Sequence, residues 1–233
     1  MINTSYLSVF SNINSVAVLQ QKYLGNLSKQ TVHPSVTSKT KRLIDILGAL
    51  VGLGIVGIVA IPLWILMQIN TPGPLFFTQV RCGFKGNTFY IRKFRSMVVD
   101  AEKLKHLVKN EAKGNIFKNE NDPRITPIGN FLRKTSLDEL PQFWNVLMGE
   151  MSLVGTRPPT VDEVKRYEAH HWCRLDVKPG ITGEWQANGR SRVKDFEEIV
   201  RMDLEYQQKW SIAYDLKLIW KTIWVVLNKS GAC

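Results

Sequence analysis

Between Asp45 and Asp100 the chain carries no acidic residue, and the first part of that stretch is a nearly continuous apolar run, Leu43 to Ile69. At roughly 1.5 Å per residue, such a helix could cross a hydrocarbon core of about 30 Å. The flanks constrain it further. Lys41 and Arg42 precede the run, and Arg81, Lys85, Arg92, Lys93 and Arg95 follow it without counter-charge. Cytoplasmic flanks collect Lys and Arg while exported ones do not. Positive charge at both ends therefore favours a segment that enters a bilayer and returns to the same side. Pro62 points the same way, because proline removes a backbone donor and clashes with the preceding turn. Gly48, Gly52, Gly54 and Gly57 are expected to loosen the segment. A spanning helix stays open on these grounds, since spanning helices tolerate proline.

A length of 233 residues allows one domain, or one domain plus an anchor. The net charge of +11 selects anionic partners. Beside a membrane segment, phospholipid head groups and nucleotide phosphates fit better than nucleic acid, for which no zinc-finger or ribonucleoprotein motif is present. Cys82, Cys173 and Cys233 have no paired or metal-ligand spacing and suit a reducing compartment. Residues 1–40 are rich in Ser, Thr and Asn and lack the pattern of a secretory signal. They read as a mobile leader, with a short helix near Val16 to Leu24.

From Thr71 the pattern is that of a globular domain. Leu75–Val80 and Thr88–Ile91 have strand character around a Gly83–Asn87 turn. Val98–Lys113 has helical periodicity, with Met97, Ala101, Leu104 and Val108 on one face. Residues 128–150 read as helix broken at Pro141, and Thr160–Arg174, Phe196–Gln208 and Ser211–Leu227 read as helices. The last combines Trp220, Ile223, Trp224 and Leu227 with Lys217 and Lys221, which suits either a helix in a lipid head-group layer or a core helix.

Three constellations can carry chemistry. Adjacent carboxylates Asp138 and Glu139 stand just before Pro141. Ser136-x-x-Glu139 fits a helix-capping box. Alternatively, a helix end and Arg133 favour an ionised Asp138 beside a bound phosphate, and the two carboxylates could take Mg²⁺. In Gly155-Thr156-Arg157-Pro158, rigid flanks present an arginine suited to bidentate phosphate recognition, or simply a solvated turn. Gly180, Gly183 and Gly189 permit close approach of a ligand to the backbone, a weak signal alone. His170 and His171, as neighbours, cannot share a helical face and read as packing or surface residues.

Taken together, these blocks resemble the bacterial sugar transferase family, the monotopic polyprenyl-phosphate phosphoglycosyl transferases. The resemblance runs from about Lys41 to Leu227. Its N-terminal part rests on Lys41-Arg42-x-x-Asp45, Gly73-Pro74-x-Phe76-Phe77-x-Gln79-x-Arg81-x-Gly83, Lys93-Phe94-Arg95-Ser96-Met97 and Asp122-Pro123-Arg124-Ile125-Thr126. Leu132-Arg133-Lys134-Thr135-Ser136-Leu137-Asp138-Glu139-Leu140-Pro141-Gln142, Asn145-Val146, Met151-Ser152-Leu153-Val154-Gly155 and Arg157-Pro158 follow, and then Lys178-Pro179-Gly180-Ile181-Thr182-Gly183 and Asn188-Gly189-Arg190.

The resemblance implies an α+β, helix-rich fold. It would be a monotopic protein with one re-entrant membrane helix over 41–69, broken at Pro62, and a catalytic domain over 70–233 with interfacial amphipathic helices. The place implied is the cytoplasmic face of a bacterial plasma membrane. The reaction implied moves a sugar-1-phosphate from a UDP-sugar to undecaprenyl phosphate, releasing UMP, as the first membrane step of exopolysaccharide or O-antigen assembly. Asp138 maps to the nucleophile and Glu139 to the placement of Mg²⁺, both being metal ligands. Lys93, Arg133 and Arg157 map to phosphate-binding positions, and Asp203 to a further acidic one. Membrane lipids are implied partners, with a homodimer as a candidate state. The stretch Gly183 to Arg190 is more similar to hexose-1-phosphate transferases than to those moving acetamido sugars. A UDP-releasing lipid glycosyltransferase is the competing reading, but it would usually show an Asp-x-Asp motif, and only Glu120-x-Asp122 comes near. Two positions depart from the family. Thr156 stands where proline is usual before the arginine, which suggests a looser presentation of Arg157. Ile61 stands where serine often precedes the membrane proline.

Overall fold

The computed structural model describes residues 16–21, 23, 31–188 and 193–228. Its spine is helix α1, Lys39–Asn70, started by the Ser38 side chain accepting from Lys41 N. This helix is long and apolar enough to cross a membrane. It continues through Pro62, so the expected break is not there. Packing on both sides of the proline explains why: Val56, Val59 and Ala60 before it and Leu63 and Met67 after it join one cluster with Phe94 and Leu132. Tertiary contacts on that scale outweigh one lost backbone hydrogen bond.

Helix α1 is fastened at its start as well. Lys41 Nζ donates to Asp215 at 2.6 Å and to Val154 O at 3.0 Å, with both side chains buried. Arg42 donates to Val146 O and Leu147 O, both at 2.7 Å. Those carbonyls belong to the end of helix α3 (Gln142–Met148), where a cation meets the negative end of the helix dipole. Asp45 accepts from Ser152 Oγ and Leu153 N, both at 2.9 Å. Two of the glycines expected to loosen the segment do the opposite. A Cβ on Gly48 would lie 2.6 Å from Leu153 Cδ1, and one on Gly52 would lie 2.2 Å from the Phe143 ring, so their absence lets the helix seat closely. Gly54 and Gly57 face open space. The opposite face of α1 exposes Leu47, Leu50, Val51, Ile58, Ile61 and Trp64, among others.

Strands β1 (Phe76–Cys82) and β2 (Thr88–Phe94) form an antiparallel hairpin with Phe77 opposite Lys93 and Arg81 opposite Phe89. Both extend beyond their sequence expectation, and the extension of β2 brings Lys93 into the sheet. Arg95 then donates to Pro74 O and Thr71 O, holding the exit of α1 against the end of β2. Helix α2 (Pro127–Lys134) is capped by Thr126, whose side chain accepts from Gly129 N. A 3₁₀ turn, Leu137–Glu139, leads to α3, so the expected interruption near Pro141 is present.

Strand β3 (Ser152–Val154) pairs in parallel with β4 (Gly180–Thr182) across a connection that contains the short helix α4 (Val161–Val164) and a 3₁₀ segment, Ala169–Asp176. Thr160–Arg174 is therefore not one helix. The glycines around this pair are occupied by the fold. A Cβ on Gly155 would come within 2.2 Å of Lys178 O, on Gly180 within 2.1 Å of Gly155 N, and on Gly183 within 2.0 Å of Gly155 O. Their close approach is backbone to backbone, not backbone to ligand. Gly189 and Arg190 lie outside the described residues. Helices α5 (Glu184–Asn188), α6 (Phe196–Lys209) and α7 (Ile212–Leu227) complete the order. Helix α7 is neither purely core nor purely surface. Leu218 and Asp215 are buried, while Leu216, Trp220, Trp224 and Leu227 are exposed.

One further expectation changes. Val98–Lys113 is a run of turns with a single 3₁₀ turn at Lys105–Leu107. Asp100 takes a left-handed φ of 62°, which ends helical propagation, and Val98 N bonds instead to Arg124 O. Within the leader, Val16 is buried in the core that contains Trp172 and Phe196. Tyr23 stacks on Trp172 at 5.1 Å and donates to Asp176. Residues 1–15, 22 and 24–30 of the expected leader lie outside the described residues.

Candidate active site

The 3₁₀ turn between α2 and α3 places Asp138 and Glu139 on the wall of a cavity of about 580 Å³. Asp138 is only 4% exposed. The capping box does not form: Ser136 takes a left-handed φ of 56° and makes no side-chain capping bond, while Glu139 accepts from Lys93 Nζ at 2.9 Å. The acidic pair thus lines the cavity and forms no capping box. Leu137 and Leu140, on either side of it, pack in the same cluster as Leu63 and Met67 of α1.

Lys93, Arg133 and Arg157 line the same cavity, so five of the six residues singled out by sequence converge. Lys93 comes from β2. Arg133 comes from the last turn of α2, with Nε donating to Ser96 Oγ at 2.9 Å. Burial lowers the pKa of its guanidinium from the usual value, and the neighbouring Asp138 charge opposes that shift. Arg157 follows β3. It donates to Glu163 Oε2 at 3.2 Å and sits 5.9 Å from the centroid of the Trp185 ring. Its backbone is not loosely held. Thr156 is buried, donates through Oγ1 to Arg174 O, and accepts from Gly180 N. A hydroxyl bond at Thr156 therefore holds the position where the family usually has proline.

Asp203 is placed elsewhere. It is 1% exposed on α6, bonded to Arg174 Nε and Nη2 at 2.7 and 2.6 Å, and it does not line the cavity. Burial raises its pKa against the opposing pull of Arg174. Arg174 also donates to the Tyr167 hydroxyl at 2.6 Å.

The structure adds residues that spacing could not reveal. Glu163 closes a capping box with Thr160 at the start of α4 and also receives Arg157. Burial works to raise its pKa, yet Arg157 and Arg81 together hold its carboxyl below the usual range. Arg81, within the acid-free stretch, is brought down to about 10 by burial and then by the nearby Arg157 charge. Trp185 and Gln186, on α5, line a second recess that Glu139 also lines.

Asp138 and Glu139 suit a hard divalent cation. They supply oxygen donors from adjacent positions on one cavity wall, and Mg²⁺ is usually held by one or two carboxylates plus substrate phosphates. A different cluster has ligand-like spacing: the ring nitrogens of His170 and His171 converge on Glu197, at 3.1 and 2.7 Å. A 3₁₀ path, rather than the expected helix, lets these neighbours meet. Its hydrogen bonds do not favour a metal. His171 Nδ1 accepts from Glu168 N, which leaves the proton on Nε2 facing Glu197, whereas metal-bound histidines donate from the second nitrogen.

Comparison with known proteins places the chain among relatives. A family model described as bacterial sugar transferase matches residues 36–229. The chain is 55% identical over 195 residues to a galactosyl transferase, CpsE, of Streptococcus agalactiae serotype III (strain NEM316), covering 82% of this chain and 43% of that protein. It is 39% identical to an undecaprenyl-phosphate galactose phosphotransferase of Salmonella typhimurium, covering 100% of this chain and 48% of that one. It is 40% identical to a UDP-glucose:undecaprenyl-phosphate glucose-1-phosphate transferase of Escherichia coli (strain K12), covering 78% and 39% respectively. The chain spans less than half the length of each of these relatives.

Proposed function

The chain belongs to the bacterial sugar transferase family, and from that premise we propose that it transfers glucose-1-phosphate or galactose-1-phosphate from a UDP-sugar to undecaprenyl phosphate, releasing UMP. The observation that carries this reading is the position of the acidic pair. Asp138 and Glu139 share a cavity with Lys93, Arg133 and Arg157, and the leucines beside them pack on the apolar helix α1. Soluble and membrane-bound phosphates can meet at such a place. The sugar assignment follows the Gly183–Arg190 stretch and the galactose and glucose in the names of the relatives.

In the proposed route an Asp138 carboxylate oxygen attacks the β-phosphorus of the UDP-sugar. The bond from that phosphorus to the bridging oxygen breaks, and UMP leaves with the electron pair. An oxygen of undecaprenyl phosphate then attacks the same phosphorus, breaking the aspartyl bond and regenerating the carboxylate. The covalent step lets two anionic substrates use one site in turn. Arg133 and Arg157 bind phosphate oxygens, and their charge offsets that of the transferring group. Lys93 orients Glu139 through their ion pair. When bound by Asp138 and Glu139, Mg²⁺ would supply further charge neutralisation at the phosphates. Purified protein given UDP-glucose or UDP-galactose, undecaprenyl phosphate and Mg²⁺ should produce UMP. Release of UDP would instead establish a lipid glycosyltransferase.

The same reading treats residues 41–69 as a re-entrant anchor and 70–233 as the catalytic domain on the cytoplasmic face of the plasma membrane, with α7 in the head-group layer. Support comes from the fastening of α1 to one domain both near Lys41 and near Met67, while its other face remains apolar and exposed. A helix held at both ends by one domain keeps both ends on that domain's side. Cysteines placed at Ser38 and Thr71 should accordingly both react only with reagents that reach the cytoplasm. Labelling of the Ser38 site from the periplasm would establish a spanning helix.

A further inference from the structure

A carboxylate stands where the proposed reaction least invites one. Glu163 lines the large cavity together with Lys93, Arg133 and Arg157, and its side chain is 5% exposed. A negative charge there weakens the attraction of the site for any phosphate that enters it. The charge is present: burial opposes ionisation, but Arg157 and Arg81 outweigh it and hold the carboxyl below its usual range. Capping α4 does not require that charge. The box needs an acceptor for Thr160 N at the third helical position, and a neutral glutamine serves there as well as glutamate.

The surroundings of Glu163 give the charge a task. The backbone on either side of Arg157 is fastened. Thr156 Oγ1 donates to Arg174 O, Arg81 Nη1 donates to Pro158 O at 3.0 Å, and Cys82 N donates to Pro159 O at 3.0 Å. From that fixed frame, the Arg157 side chain hydrogen-bonds to one described residue, Glu163, through Nη1 at 3.2 Å to Oε2. Its guanidinium also lies 5.9 Å from the centroid of the Trp185 ring. Nε and Nη2 bond to no described residue, and two adjacent guanidinium nitrogens of this kind can grip two phosphate oxygens at once. Arg81 supplies the reason for a full charge. It is within electrostatic reach of both groups, repelled by Arg157 and attracted by Glu163. Without the carboxylate the two arginines would push apart, and Arg81 is the one tied to Pro158 O.

Resting on the phosphoglycosyl transfer reading above, we propose that Glu163 is a positioning residue: it holds the Arg157 guanidinium by one nitrogen, against the repulsion of Arg81, and so keeps Nε and Nη2 set for the phosphoryl group in transit. Glu163 itself touches no reacting atom. Its charge lowers the affinity of the cavity for phosphate at rest. The placement it gives Arg157 counts when charge develops on the transferring group, because a donor already in position need not reorganise at that moment. Only interactions stronger in the transition state than in the ground state speed the chemical step. Two arginines without the carboxylate would therefore bind phosphate more tightly and transfer it more slowly.

Two variants separate charge from placement. Glu163→Gln keeps the cap and removes the charge. Glu163→Asp keeps the charge and draws the carboxylate back by a methylene, taking Arg157 with it; a misplacement of about 1 Å can cost on the order of 10²-fold in rate. UMP release in a single turnover, from UDP-hexose and Mg²⁺ without lipid phosphate, should slow at least about tenfold in both. Inorganic phosphate serves as the probe of anion binding at rest. Its inhibition constant should fall about three- to tenfold in Glu163→Gln and stay within about twofold of wild type in Glu163→Asp. A merely structural role has the opposite sign, since a loosened site would release UMP slowly and bind phosphate weakly, with a lowered unfolding temperature. That parallel loss in Glu163→Gln would overturn the proposal. A single-turnover rate within about twofold of wild type in either folded variant would overturn it too, and Glu163→Asp decides by its rate where Glu163→Gln does not fold. Absence of UMP from wild-type protein with every UDP-hexose would instead remove the underlying reaction, an outcome distinguishable before any variant is made.

Discussion

Asp138→Asn is expected to abolish UMP formation, with a loss of at least about 10³-fold, because an amide neither ionises nor attacks phosphorus. The sharper readout is a single turnover. Wild-type protein with UDP-hexose and Mg²⁺, but no lipid phosphate, should release one UMP per site and carry a sugar-phosphate adduct on the peptide containing Asp138. The Asn variant should do neither while retaining its thermal unfolding profile. Asparagine matches aspartate in size and shape, so the packing of the turn has little reason to alter. Glu139→Gln should impair turnover severely by weakening the Lys93 pair and the oxygen set offered to a metal. Normal activity in a folded Asp138→Asn protein would falsify the covalent route.

The second large effect lies far from the chemistry. Asp215 accepts from Lys41 at 2.6 Å, from the Tyr206 hydroxyl at 2.8 Å and from Trp210 Nε1 at 3.1 Å, with its side chain and that of Lys41 both buried. Replacing Asp215 with Leu leaves a buried ammonium without its counter-charge and Trp210 Nε1 without its acceptor, with Val154 O still accepting from Lys41 and Tyr206. Breaking a buried pair from one side typically costs about 3–5 kcal/mol. The expected result is a large drop in apparent unfolding temperature in nanodiscs, together with protease cleavage around Pro34–Ser38 as the start of α1 detaches from α7. Lys41→Met, which leaves Asp215 its two neutral donors, should cost less. Combining the two changes should recover part of the loss, since the uncompensated charge disappears. An unfolding temperature unchanged in Asp215→Leu would show that the pair does not hold the helix.

How much of this was legible in the sequence depended on the range of the signal. The apolar run, the hairpin, and helices α6 and α7 announce themselves through local periodicity and charge. The residues that converge on the cavity were readable mainly because they recur in family blocks, as no spacing brings Lys93, Arg133 and Arg157 together. Periodicity failed at Val98–Lys113, where a left-handed Asp100 and a long-range bond to Arg124 replace the helix. The glycine signal was misread for a physical reason: close approach is visible in a sequence, but its partner is not. At Gly48, Gly52, Gly155, Gly180 and Gly183 the partner is the protein itself. Glu163 and Trp185 carried no signal beyond their types. Their roles arise from what the fold puts beside them.

The seating of α1 also dictates an order of assembly. Residues 39–70 are synthesised before any strand, yet Ala49, Leu63 and Met67 belong to cores completed by Phe89, Ile91, Phe94, Leu132, Val146 and Met151. The helix must therefore wait, with its glycine face uncovered, until chain made later returns to close over it. Its opposite face cannot wait in water, because the exposed leucines, isoleucines and tryptophan along it would aggregate first. On the proposed membrane anchor, insertion would precede folding, and the lipid surface would serve as the template on which the later chain condenses. A fragment beginning at Thr71 would lack one side of two cores, so cutting away the apolar helix would not release an intact catalytic domain.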